Sequence, residues 1–339
     1  MKDWLDRREV VRLAGAAGLA AGLTGLAGCA GGPEVDGFKL PPGKTAGEFE
    51  ATELAPGVKL ISGAGSNVLA VAGPEGAVMI DGGLVQHASG LIQRVQAETG
   101  SRKVARLINT HWHPEATGAN DLLGAKGTPI LAHENTRLWM GTEITSGWQD
   151  KVYPPRQAKA RPTETFYTTR DIALGAEILQ CGYLLQAHTD GDIYVRLAKA
   201  NVIAAGGVLS GNSWPIIDWQ TGGWIGAAAS RSGPTFNNVE VPTYGGMVGA
   251  LQTLASLADD NTRIVPADGP VLTKADVETQ IVMYAAIAAR LRDMMNKGLG
   301  TDEVLAAAAT REFDARMGDP ELFLTLAFES LWGHVTPDA

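Results

Sequence analysis

A chain of 339 residues that is 45% hydrophobic and 19% charged can bury a full core and does not have the composition of a disordered protein. Its formal charge of −9 comes without a Lys/Arg cluster that could neutralise a phosphate backbone, which argues against a nucleic-acid partner. With 42 glycines it reads as a loop-rich α/β protein rather than a helical bundle.

The first stretch, MKDWLDRREVVRLAGAAGLAAGLTGLAGCAGG, reads as targeting rather than fold. Arg7-Arg8 form a twin-arginine address for Tat export. The apolar run from Leu13 to Gly28 is short for a membrane span. Leu26-Ala27-Gly28-Cys29 resembles a lipoprotein processing site, with an ordinary cleaved signal and an incidental cysteine as the alternative. The expectation is a signal over 1–28, a tether over 29–50 lipidated at Cys29, and a protein held on the periplasmic or extracytoplasmic face of a membrane. Cys181 is then alone, a small hydrophobe in an apolar strand.

From residue 51 the pattern is short β-rich runs between Gly and Pro turns: GVKLISG, SNVLAVAG and GAVMIDGG. VQHASGLIQRVQAETG has helical spacing and stops at Gly100. VARLINT is a strand that leads into His111. A short helix, NDLLGAKG, and a strand, TPILAH, come next, with His133 opening a helix. After a linker near YPPRQAKARPTE, strands resume with TFYTT, AEILQCG, YLLQA, DIYVRLA and NVIAAGG. The helix YGGMVGALQTLASLAD and the strand TRIVPAD follow. Helices are expected from Lys274 to about Gly298, from Thr301 to about Thr310, and around PELFLTLAFESLW. Two β-rich halves with helices outside suggest two sheets between helical layers, over 51–275, with a helical extension over 276–339 packed on it.

The chemistry lies in NTHWHPEATGAN and QAHTDGDIYV. In an extended segment side chains alternate, so His111, His113 and Glu115 point one way and Trp112 the other, while Pro114 keeps the stretch open. Three protein donors plus an open position make a catalytic zinc site, and His188 at a strand end is the natural third. The Thr-Asp-Gly-Asp turn after it, starting at Thr189, can orient its second nitrogen. His87, His133 and His334 read as surface or capping residues. GAGSN lacks the third glycine of a dinucleotide loop, and no Gly-x-Ser-x-Gly elbow occurs.

The order His-x-His-x-acid, then HTDGD, then a Gly-rich strand end, then VPADGP resembles the metallo-β-lactamase fold hydrolases over roughly residues 55–275. Asp81 in GAVMIDGG fits that family's first motif, at the base of the metal site. The resemblance implies an αββα sandwich with the site at its edge, and hydrolysis of a small molecule by a zinc-activated water. It also marks departures: Glu115 stands for an Asp, Ala116 for a His, Gly207 for the bridging Asp, and Asp268 for the last His. The first metal's histidines are kept and the other four ligand positions are changed, so one zinc is expected rather than two.

Three readings are open. One metal on three histidines acts on water, with Glu115 as base or anchor and Asp268 approaching as ligand or water holder. Alternatively Glu115 and Asp268 build an altered site for a harder ion. In the third, the scaffold binds a ligand with little or no hydrolysis. Trp214, Trp219 and Trp224 are candidates for an aromatic substrate wall, with packing as the commoner fate. The expected substrate is an ester-, lactone- or lactam-like small molecule.

Overall fold

The computed structural model describes residues 48–226 and 245–333, with two-residue strand pairs at Glu34–Val35 with Phe38–Lys39 and at Thr235–Phe236 with Val239–Glu240. The expected signal segment, Cys29, most of residues 227–244 and His334 lie outside the described residues.

Strands β1 (Glu50–Ala55), β2 (Val58–Ser62), β3 (Val68–Val71) and β4 (Ala77–Ile80) run as an antiparallel meander. Helix α1 (Ala88–Thr99) ends on Gly100 at φ 63°, the left-handed cap that its sequence announces. The chain then returns as β5 (Val104–Ile108), parallel to β4. After α2 (Pro114–Thr117) and α3 (Asn120–Gly124) comes β6 (Ile130–His133), and after α4 (Glu134–Trp139) the edge strand β7 (Glu164–Phe166). These make a seven-stranded sheet in the order β7-β6-β5-β4-β3-β2-β1.

The second sheet holds β8 (Thr169–Leu174), β9 (Glu177–Tyr183), β10 (Ile193–Leu197), β11 (Val202–Ser210) and β12 (Arg263–Asp268), in that order. The chain passes between sheets at Tyr167 and Thr168, so the run read as one strand, TFYTT, is divided between two.

Period-two burial builds the layers. Leu60, Leu69 and Val78 of the first sheet meet Cys181, Val195, Val202 and Val265 of the second in a central core. Their neighbours Ile61, Val68 and Met79 face outward against Leu91 and Val95 of α1. On the far side Ile203 and Ile264 pack under α5 (Gly246–Leu257), α6 (Lys274–Asn296) and α9 (Glu321–Gly333). The result is an αββα sandwich with further C-terminal helices, α7 (Thr301–Ala307) and α8 (Asp314–Met317) among them. Cys181 is buried and free. No described helix is long and apolar enough to cross a membrane.

Three local expectations need correction. YLLQA is not a strand: β9 stops at Tyr183, Gln186 takes φ 47°, and the amide of Trp224 binds the carbonyl of Ala187. His188 therefore sits in a turn rather than directly after a strand. Pro114 does not bar a helix but starts one, because its missing N–H costs nothing at the first helical position. His87 is fully buried against Phe49 rather than at the surface.

Candidate metal centre

Strand β5 ends at Ile108, and the chain bends sharply through 111–113 before α2. His111, His113 and Glu115 converge through this bend and the first helical turn, not through strand alternation. Trp112 turns away, packing on Met140 and Ile144 and donating its indole N–H to Thr221 Oγ1 at 3.0 Å. His188 arrives from the second sheet, in the turn between β9 and β10.

One donor nitrogen from each of His111, His113 and His188 lies within 4.8 Å of the other two, and all three residues are buried. Their remaining nitrogens are held by acceptors. Thr110 Oγ1 donates to Asp81, so it accepts from His111 Nδ1 at 2.9 Å. His113 Nε2 donates to Asp218 Oδ2 at 3.0 Å, and His188 Nδ1 to Asp192 Oδ1 at 3.3 Å. Each outer bond fixes a ring and its tautomer, which leaves His111 Nε2, His113 Nδ1 and His188 Nε2 facing one point.

Glu115 completes the arrangement. Its Oε1 lies 3.1 Å from His111 Nε2 and 3.5 Å from His113 Nδ1. Two buried polar atoms here have no hydrogen-bond partner, His113 Nδ1 and Glu115 Oε2. Buried polar atoms normally find partners, and three converging imidazoles with an orphaned donor atom fit a divalent ion. An N/O donor set of this kind suits zinc.

The charges follow from the contacts. Burial pushes the Asp81 carboxyl up to about 7, against the hydrogen bonds that Thr110 gives it. Burial also disfavours the His113 cation, yet its bond to Asp218 and the nearby Glu115 carboxylate raise it to about 10. Burial works against the Glu115 carboxylate as well, but His111 and His113 hold it well below its ordinary range. His111 is lowered by burial.

Asp218 escaped the sequence reading. It lies in the Gly-rich stretch where only tryptophans stood out, and it meets His113 across 105 residues of chain. The available signal was an aspartate between Ile217 and Trp219, since a carboxylate in an apolar run must be paired if it is buried. Changing Asp218→Asn should lower metal affinity by roughly 10–100-fold, the usual weight of a partner that orients a ligand. It should also flatten a pH dependence. The raised His113 contributes stability that is fully present below its ordinary 6.5 and is lost as pH rises through about 10. Denaturation of the metal-free protein between those limits should show a smaller loss in the variant than in the wild type.

The other expected site residues are placed as follows. Asp81, at φ 63°, accepts from both the amide and the hydroxyl of Thr110 and so reaches His111 through one intermediary. Thr189 touches no histidine nitrogen; its amide donates to Asp192 Oδ2 at 2.6 Å and so steadies the carboxylate that holds His188. Asp268 is exposed and stands outside the group of donor atoms, but lines the same cleft as Glu115, His188 and Gly207. That cleft has a volume of about 600 Å³ and lies open beside the cluster. Trp214 lines it, whereas Trp219 and Trp224 do not. Trp219 gives its N–H to Glu329 on α9, and Trp224 packs against the core below α5.

Two glycines shape the base of the site. Gly206 has φ 60°, and a Cβ there would lie 2.5 Å from Thr110 Oγ1. A Cβ on Gly207 would lie 2.4 Å from His188 Nδ1. The imidazole fills the space where a bridging carboxylate would start.

Comparison with known proteins agrees with this geometry. The family described as "Metallo-beta-lactamase superfamily" matches residues 61–269, more than half of the chain. The sec-alkylsulfatase Pisa1 from Pseudomonas sp. superposes with a TM-score of 0.61 at 12% identity, over 86% of this chain and 52% of its own. This chain thus spans about half of the sulfatase's length. A metallo-beta-lactamase from Pontibacter korlensis gives a TM-score of 0.49 at 19% identity, over 70% of this chain and 99% of its own. No curated protein sequence matches the chain. With the sandwich, the histidine cluster at its edge and the family match in agreement, the chain belongs to the metallo-beta-lactamase superfamily.

Proposed function

We propose that the protein is a hydrolase that holds one zinc ion on His111, His113 and His188 and cleaves an ester-, lactone- or lactam-like small molecule. The observation that carries this reading is the convergence of three imidazole nitrogens whose outer atoms are all fixed by Thr110, Asp218 and Asp192. When bound, such an ion supplies Lewis acidity and brings the pKa of water towards neutrality.

The chain's own groups do the rest. Glu115 Oε2 has no partner, and its carboxylate lines the cleft, so Oε2 is placed to take a proton from the attacking water and return it to the leaving group. Leu209 and Trp214 form an apolar wall along which the substrate lies. Changing Glu115→Gln should leave metal content near one per chain while turnover falls by about 10²–10⁴-fold, because an amide cannot accept the proton. Metal analysis beside rates on a panel of esters, lactones, lactams and a secondary alkyl sulfate tests this. Loss of metal together with rate would give Glu115 an anchoring role instead.

A binding protein without turnover is the second reading. It is favoured by the pairing of Glu115 with His111 and His113, which neutralises the cluster internally. Metal-free protein inert across the panel would support it.

The N-terminal features support a further proposal, export and lipid anchoring, since Arg7-Arg8 and Leu26-Ala27-Gly28-Cys29 stand in the order that such a route needs. Changing Cys29→Ala should release processed protein from washed membranes. Variant protein that stays in the membrane fraction after signal removal would sink the anchor.

A further inference from the structure

The cleft beside the metal centre is lined by Glu115, His188 and Asp268. Leu209, Trp214, Ile216 and Pro270 give it apolar walls. Among the described residues that line it there is neither lysine nor arginine.

Most of its polar side chains are already engaged within the protein. Ser66 donates to the Glu115 carbonyl, and the Asn67 amide donates to the carbonyls of Pro266 and Gly269. Ser210 and Ser213 bond each other at 2.8 Å. Glu115 is occupied by two histidines. Asp268 differs: its carboxylate is exposed and has no ion pair or hydrogen bond among the described residues. Its backbone is nonetheless fixed, paired with Ser210 at the end of β12 and accepting the amide of Gly211 at 3.0 Å. The charge is therefore presented to the cleft from a rigid strand end.

Resting on the hydrolase reading above, we infer that Asp268 sets substrate charge: the site takes a carbonyl compound with an apolar body and a cationic far end, an ammonium, and disfavours anionic ones. The carbonyl goes to the histidine cluster and the apolar body lies along Trp214 and Ile216. The far end meets a carboxylate with no cation beside it. Attraction for an ammonium and repulsion of a carboxylate both act in the same direction.

Binding can be read without turnover. Protein loaded with Co²⁺ has a visible spectrum that shifts when a hydroxamate reaches the ion. Three hydroxamates of equal chain length would be titrated, ending in ammonium, methyl or carboxylate. The ammonium compound should bind about tenfold more tightly than the carboxylate one, with methyl between, as expected for a partly exposed charge pair. D268N should bring the three together and D268K should reverse their order. The same order and spacing in D268N as in the wild type, or tightest binding of the carboxylate compound by the wild type, overturns the inference. A protein that gives no cobalt spectrum overturns the metal reading itself, which is a separate outcome.

Discussion

Replacing His188 by alanine should lower metal affinity by more than about 100-fold, since even partners one step removed from the ion are worth roughly 10–100-fold. His188 is the one donor that the second sheet contributes, and the two that remain come from a single bend. A wild-type protein at a metal concentration of about 100 times Kd should gain about 2.7 kcal/mol against unfolding, and the variant no more than about 0.4 kcal/mol. Alanine also removes the donor to Asp192 Oδ1, leaving a buried carboxylate with only the amide of Thr189. His188→Gln separates the effects, because its amide can still donate while it cannot supply an imidazole. Competition with a coloured chelator and thermal unfolding with and without zinc provide both readouts. Unchanged affinity in both variants would remove His188 from the metal centre.

Gly207→Ala should be nearly as damaging to the site although it adds a single methyl group. The new Cβ would lie 2.4 Å from His188 Nδ1 and 2.5 Å from Cε1, distances no real Cβ keeps, so the ring must move. Movement breaks the bond to Asp192 and takes Nε2 off the point it shares with His111 and His113. The expected cost is about 1–3 kcal/mol of stability, typical of overpacking. Metal affinity should fall roughly 10–100-fold, as for loss of the orienting partner. Gly207→Asp should do the same before it offers any bridge to a second ion, so restoring a carboxylate at this position alone should not raise metal content. A Gly207→Ala protein with wild-type urea stability and affinity would show that the imidazole has room to give.

Much of this centre was legible in the sequence because its donors are local in kind. Two histidines after a strand, and a third before Thr-Asp-Gly-Asp, carry metal chemistry in their residue types, and the αββα layering follows from period-two burial flanked by helical spacing. What stayed hidden depends on contacts remote in sequence. Asp218 has its role only because the loop after β11 folds back onto His113. Trp219 and Trp224 were candidates for a substrate wall, with packing as the commoner fate, and packing is what the structure shows: both lie against the core, Trp219 bonded to Glu329 of α9. Glu115 was expected in the right place for the wrong reason, since proline at the first helical position is a start signal as well as a break. The run YLLQA has strand composition, and the turn that overrides it is imposed by hydrogen bonds to Asp192 and Trp224.

The donors' split between the two sheets has a consequence for how the protein acquires its ion. His111 and His113 follow β5 of one sheet, and His188 lies between β9 and β10 of the other. Neither segment alone offers three nitrogens, so the ion cannot nucleate the fold as it does in small zinc domains. Closing so long a stretch of chain is slow and must come first. Metal capture by the proposed centre would then follow closure of the sandwich. On the proposed reading, the ion would be drawn from whichever compartment the sandwich closes in.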